Sequence, residues 1–111
     1  MAKLERTING NFDELLTRIT DGVLNGSVSA TLEDLTDFRA ESARCSVRVF
    51  ERYSFTGENR LSLTVTMFQT ENNEIRLSAI TSGGSQGLFL KWNTIGEEAF
   101  LEKFKETLDC L

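Results

Sequence analysis

Four successive stretches of this chain alternate apolar and polar residues with a period of two, and that pattern limits the fold more than any other feature. Val28, Ala30 and Leu32 alternate with Ser29, Thr31 and Glu33, and Cys45, Val47, Val49 and Tyr53 alternate with Ser46, Arg48, Phe50 and Arg52. Leu61, Leu63, Val65 and Met67 alternate with Ser62, Thr64, Thr66 and Phe68, and Ile75, Leu77 and Ala79 with Arg76, Ser78 and Ile80. Successive side chains of an extended backbone point to opposite faces. Each stretch therefore predicts an antiparallel strand with one face on a core and one toward solvent. Gly57-Glu58-Asn59 and Glu71-Asn72-Asn73 supply turn residues at hairpin length between the later stretches.

Helical patterns flank this region. Leu4, Arg6 and Ile8 alternate with Lys3, Glu5 and Thr7 as a short opening strand, after which Asn11 offers an N-cap with Glu14 three residues on. Phe12, Leu15, Leu16, Ile19, Val23 and Leu24 then form one helical stripe that Asn25-Gly26 closes. Near the end of the chain, Thr94 with Glu97 makes a second capping-box pattern, followed by Phe100, Phe104, Leu108 and Leu111. The expected order is β-α-β-β-β-β-α. Its natural packing is a five-stranded antiparallel sheet with both helices on one face, an α+β two-layer sandwich. At 111 residues, with no proline, no repeat and no linker, the chain reads as a single domain over residues 1–111.

Composition removes several function classes. A net charge of −5 argues against nucleic acid and anionic membrane surfaces as partners. The absence of histidine removes Ser-His-Asp and Cys-His catalysis, His-ligated zinc and the usual general base of neutral-pH chemistry. Cys45 and Cys110 are far apart and form no CxxC pair, so they suggest no metal or redox site and fit a reducing compartment. The charged opening residues lack a signal-peptide core, and no apolar run approaches the ~20 residues of a membrane span. The expected location is cytoplasmic, and no metal, cofactor or catalytic set is assigned.

The order of elements resembles the TATA-binding-protein-like folds and a shortened helix-grip fold. A second resemblance runs through residues 44–53, Arg44-Cys45-Ser46-Val47-Arg48-Val49-Phe50-Glu51-Arg52-Tyr53. It continues through Ala79-Ile80-Thr81-Ser82-Gly83-Gly84-Ser85-Gln86 and Asn93-Thr94-Ile95-Gly96-Glu97. On these the chain resembles a family of short bacterial proteins of unknown function. That resemblance implies a bacterial cytoplasmic protein and brings no activity with it.

Few residues stand out for chemistry. Gly83-Gly84-Ser85-Gln86-Gly87 matches the G-x-S-x-G elbow of α/β-hydrolases, but the elbow needs a parallel sheet and a histidine base, and this chain offers neither. The same glycines could cradle an anion, and with Lys91 and Trp92 they could close over a small ligand, although a plain connector between the last strand and the last helix is the simpler reading. Glu51 and Tyr53 fall on the expected inward face together with Arg6, as the polar groups of a pocket; a β-bulge would instead turn Glu51 outward. Glu33, Asp34 and Asp37 gather near an expected turn without the spacing of a calcium loop. On the expected outward face, Phe50, Phe68 and Ile80 do not suit bare solvent and could form an interaction patch. The favoured expectation is a non-enzymatic interaction module, homodimeric through the sheet face or edge. The alternative is a small-ligand carrier with a pocket between sheet and helices, lined by Tyr53, Met67 and Trp92 and covered by residues 83–92.

Overall fold

The computed structural model describes residues 1–54, 59–83 and 90–111, with side chains omitted for 90–94. Its elements are β1 (Ala2–Asn9), α1 (Phe12–Gly26), β2 (Thr31–Ala40), β3 (Ala43–Tyr53), β4 (Arg60–Gln69), β5 (Glu74–Gly83) and α2 (Leu90–Asp109). The five strands form one antiparallel sheet in the order β1-β5-β4-β3-β2, so the first two strands lie at opposite edges. Because each neighbouring pair is antiparallel, β1 and β2 run parallel to each other, and α1 carries the chain across the sheet between them. This is the expected α+β order.

The first helix forms as its sequence dictates. Asn11 has extended backbone angles, and its side-chain oxygen accepts from the Glu14 amide at 2.8 Å, which satisfies one of the free donors of the first turn. Phe12, Leu15, Ile19 and Val23 then bury one stripe. The second helix starts earlier than its sequence suggests, at Leu90, so Thr94 lies inside it and does not cap its start. Glu97 accordingly sits within the helix and is buried. Its carbonyl accepts from Thr81 Oγ1 at 3.0 Å, and its carboxylate pairs with the Met1 amine.

The core lies between sheet and helices. Leu61, Leu63, Val65 and Met67 of β4 and Ile75, Leu77 and Ala79 of β5 meet Phe100, Phe104 and Leu108 of α2 and the α1 stripe. The two helices touch closely at Gly22, where an added Cβ would fall 2.2 Å from Thr107 Cγ2. Any side chain at residue 22 would have to displace that threonine.

Two expectations fail on the β2 side of the sheet. Val28 stands wholly exposed in the turn before β2, and the acidic stretch Glu33, Asp34 and Asp37 is strand where a turn was expected. The hairpin that follows turns at Glu41 and Ser42, between the paired Ala40 and Ala43, without glycine, asparagine or proline to mark it. The faces of β3 are also reversed. Arg44, Ser46, Arg48, Phe50 and Arg52 turn toward the helices, and Cys45, Val47, Val49, Glu51 and Tyr53 turn away. The register settles the assignment, since Phe50 is paired with the core residue Leu63 and Arg48 with Val65. No helix among the described residues is long and apolar enough to cross a membrane.

Candidate interaction surface

The outward face of the sheet carries no covering element, and strand register places its residues in rows. In one row Phe38, Cys45, Phe68, Arg76 and Thr7 lie side by side across all five strands. In the next stand Thr36, Val47, Thr66, Ser78 and Glu5, and in the third Asp34, Val49, Thr64, Ile80 and Lys3. Small threonines and serines fill β4 and β5, while valines and a cysteine fill β3. Phe38 is 64%, Phe68 41% and Ile80 37% exposed. Phe38, Cys45 and Phe68 lie side by side in the first row with Val47 and Val49 next to them along β3, whereas Ile80 stands apart in the third row beyond Thr64, so the apolar area centres on β2, β3 and the end of β4. Glu5, Thr7, Thr66, Phe68, Arg76 and Ser78 line an open concavity of about 550 Å³ on the same face. Arg76 has no ion-pair partner among the described residues.

Charges at the other end of this face are matched. Arg60 Nε donates to Glu51 at 2.7 Å, its guanidinium reaches Glu33 at 3.5 Å and it lies 5.4 Å from the Tyr53 ring. These contacts hold the Glu51 carboxylate at the strand end, where it lies partly in water.

The helix-facing side of β3 is basic, and each guanidinium there meets a particular neighbour. Arg44 makes a two-pronged contact with Asp13 at 2.7 and 3.0 Å and lies over the Phe12 ring. The pair raises the Arg44 pKa and, chiefly through that hydrogen bond, lowers that of Asp13. Arg48, almost buried, donates to Asp37 at 2.8 Å and to its own strand at the Val47 carbonyl. The Asp37 carboxyl is held below its ordinary value, first by Arg48 and then by Ser46. Arg52 stacks on Phe100 at 4.3 Å and donates to Ser27 Oγ at 2.7 Å, just past the C-terminal end of α1, where a cation suits the helix dipole. Burial pushes its pKa down. Arg44 and Arg52 thus tie β3 to the helix layer, and Arg48 ties β3 to β2 within the sheet.

Of the residues singled out in the sequence, Phe68 and Ile80 lie on the outer face as expected. Phe50 does not: it is wholly buried against Leu63, because β3 presents its other face to solvent. The same reversal moves Glu51 and Tyr53 outward and away from Arg6, which faces the helices on β1 and donates to Asp109 at 2.8 Å. The three polar groups of the expected pocket are therefore not brought together. Gly83 ends β5 opposite Leu61; Gly84, Ser85 and Gln86 lie outside the described residues, as do the side chains of Lys91 and Trp92. Glu33 and Asp37 have arginine partners, and no group of acidic or cysteine residues able to hold a metal occurs among the described residues. Sequence reading missed Phe38, Cys45, Val47 and Val49 as surface residues. The signal that could have found them is the spacing of Arg44, Arg48 and Arg52, which puts three long side chains on the face of Phe50.

No curated protein and no solved structure matches the chain. A family model does, across its whole length: with residues 1–111 matched, the chain belongs to DUF6054, a family of unknown function.

Proposed function

We propose that this protein is a non-catalytic interaction module that works as a homodimer, with the outer face of its sheet as the contact. The supporting observation is the asymmetry of the sheet. Its inner face is covered by two helices, while its outer face leaves Phe38, Phe68 and Ile80 in water beside Cys45, Val47 and Val49. Apolar groups gathered in this way mark a surface that is covered in use, and twofold self-association is the simplest way to cover it. The outer face spans five strands spaced ~4.8 Å apart and runs ~30 Å along them, so two copies would bury roughly 1,400 Å² in total, within the range of stable complexes. Free thiols at Cys45 and Cys110 suit the reducing cytoplasm, where we place the protein.

Light scattering coupled to size exclusion tests this reading. The wild-type chain should elute at twice its 12.5 kDa mass. Phe68→Asp should remain folded by circular dichroism and elute as a monomer. A Phe68→Asp protein that keeps the dimer mass would refute the sheet-face contact.

A further inference from the structure

We infer that the partner on the outer face is a second copy related by a twofold axis running along β4, and that Asp34 and Lys3 form the reciprocal ion pairs that set its register. The inference rests on the homodimer reading above and adds a geometry to it. Its basis is the row Asp34, Val49, Thr64, Ile80, Lys3, which register lays across β2, β3, β4, β5 and β1 in that order. Read from either end, the row is acid or base, then a branched aliphatic, then a threonine at the centre. It is symmetric in shape and opposite in charge.

A twofold axis along the central strand returns β4 to itself, exchanges β3 with β5 and exchanges β2 with β1. Thr64 then faces Thr64 of the partner subunit, Val49 faces Ile80 of the partner subunit, and Asp34 faces Lys3 of the partner subunit. The neighbouring row places Phe68 against Phe68 of the partner subunit and the aliphatic stem of Arg76 over Cys45 of the partner subunit. Two twisted sheets stacked in this way, ~10 Å apart and crossing at roughly −30°, form an ordinary aligned sandwich with the helices outermost. Both charged groups are available for the contact. Asp34 accepts only from the Leu35 amide, at 2.8 Å, and has no ion-pair partner among the described residues. Lys3 meets Glu5 at 3.3 Å with both side chains more than half exposed, a pairing that is easily exchanged. Arg60 also falls on the axis, at its far end, where its own Glu51 neutralises it. The other twofold axis, perpendicular to the strands, would stack β2 on β2. It would keep Asp34 over β2 of the partner subunit, at the sheet edge opposite β1, so Asp34 and Lys3 would never meet.

Sedimentation velocity across a concentration series decides the matter, with circular dichroism confirming the fold of each variant. Asp34→Lys and Lys3→Glu should each weaken dimerisation by about tenfold or more, because each places like charges opposite one another at two points. The double variant Asp34→Lys/Lys3→Glu should return to within about threefold of wild type. In a Cys45→Ser/Cys110→Ser background, Thr64→Cys should be joined into a dimer by a thiol-reactive cross-linker with a spacer of ~8 Å, since sheets ~10 Å apart hold the two sulfurs beyond direct disulfide reach. Single charge variants that dimerise normally, while Phe68→Asp is monomeric, would overturn the register and leave the face standing. A Thr64→Cys protein that never cross-links would overturn the axis. A wild-type chain that stays monomeric at high concentration would assign the face to a different protein and overturn both readings.

Discussion

The helix-facing side of the sheet has two halves built on different chemistry. Over β4 and β5 the buried side chains are Leu61, Leu63, Val65, Met67, Ile75, Leu77 and Ala79, with Thr81 as the one polar group. Over β3 they are Ser46 and Arg48, flanked by the half-buried Arg44 and Arg52, with Phe50 as the one apolar group. Both halves are covered, but covering the second required partners: Asp13 for Arg44, Asp37 for Arg48, and Phe100 with Ser27 for Arg52. The stems of these arginines do the work of aliphatic side chains while their heads reach acceptors at the edges of the layer. A strand can thus be buried on the face that looks polar in sequence. Beyond β3 the helix layer ends, and β2 stays open to water on both faces, with Leu35 48% exposed on the inner side.

Phe50 is the sharpest way to break this comparison, because sequence alternation alone would set it in water beside Phe68. Phe50→Asp should abolish folding, at a cost of about 5 kcal/mol or more, since it removes a wholly buried ring and leaves a carboxylate among Leu63, Leu32 and the helices. That is on the order of the entire stability of a domain this size. Phe68→Asp, on the opposite face, should change stability by less than about 1 kcal/mol when both chains are compared as monomers at low concentration. Urea denaturation of the two variants, followed by circular dichroism, measures the contrast. Equal stabilities would mean that β3 faces the other way.

The parts of the fold that were legible in sequence are those where hydrophobic period and burial agree. Strands β4, β5 and β1 alternate cleanly because one face meets the helices and the other meets water. Helix α1 shows a stripe and a cap. β3 was misread because its outer face, with Cys45, Val47 and Val49, is the more apolar of the two by composition, so counting apolar residues picks the wrong side. That excess is itself the surface signal, visible only once the true core face is known. β2 was misread because nothing buries it: without a buried face there is no alternation to detect, and its turn at Glu41-Ser42 lacks glycine, asparagine and proline. The Asp34–Lys3 relation could not be read at all without strand order, since these residues lie on opposite edges of the sheet.

A smaller test concerns how the arginine half is held. Asp37→Asn leaves the nearly buried Arg48 without its carboxylate and should cost about 1–2 kcal/mol near neutral pH. The pH dependence follows from the lowered Asp37 pKa. A depressed carboxyl stabilises the fold above its unfolded value, near 3.8, and that contribution fades as pH falls through the lower folded value. The variant and wild type should therefore differ most at neutral pH and converge as the pH falls below the ordinary carboxyl value and through the lower folded one. Denaturant midpoints measured along a pH series would show this convergence. A gap that stays constant would mean the loss is one of packing.

Arg52 differs from its two neighbours in having no carboxylate partner among the described residues, and its buried Nε there lacks an acceptor. Arg52→Met keeps the apolar stem on Phe100 and removes a desolvated charge, at the loss of the Ser27 hydrogen bond. These effects oppose each other, so stability should stay within about 1 kcal/mol of wild type. A loss of several kcal/mol would show that the guanidinium is held by more than a hydroxyl and a ring.

The mildest effect is expected at the turn that joins the open edge strand to the arginine strand. Glu41 has a φ of 53°, in the left-handed region, the only residue other than glycine there among those described. A side chain in that region costs roughly 1 kcal/mol or more. Glu41→Gly removes this strain but gives the unfolded chain more freedom, an entropy worth about 0.5–1 kcal/mol. The balance should be a stabilisation of a few tenths of a kcal/mol, seen as a melting temperature higher by about 1–4 °C. Glu41→Val should move the other way, because a β-branched residue tolerates that backbone least. If both variants melted with wild type, the hairpin would not be held in the left-handed turn. The β2–β3 pairing would then gain nothing from that connection and would rest on the strand ladder and the Arg48–Asp37 contact alone.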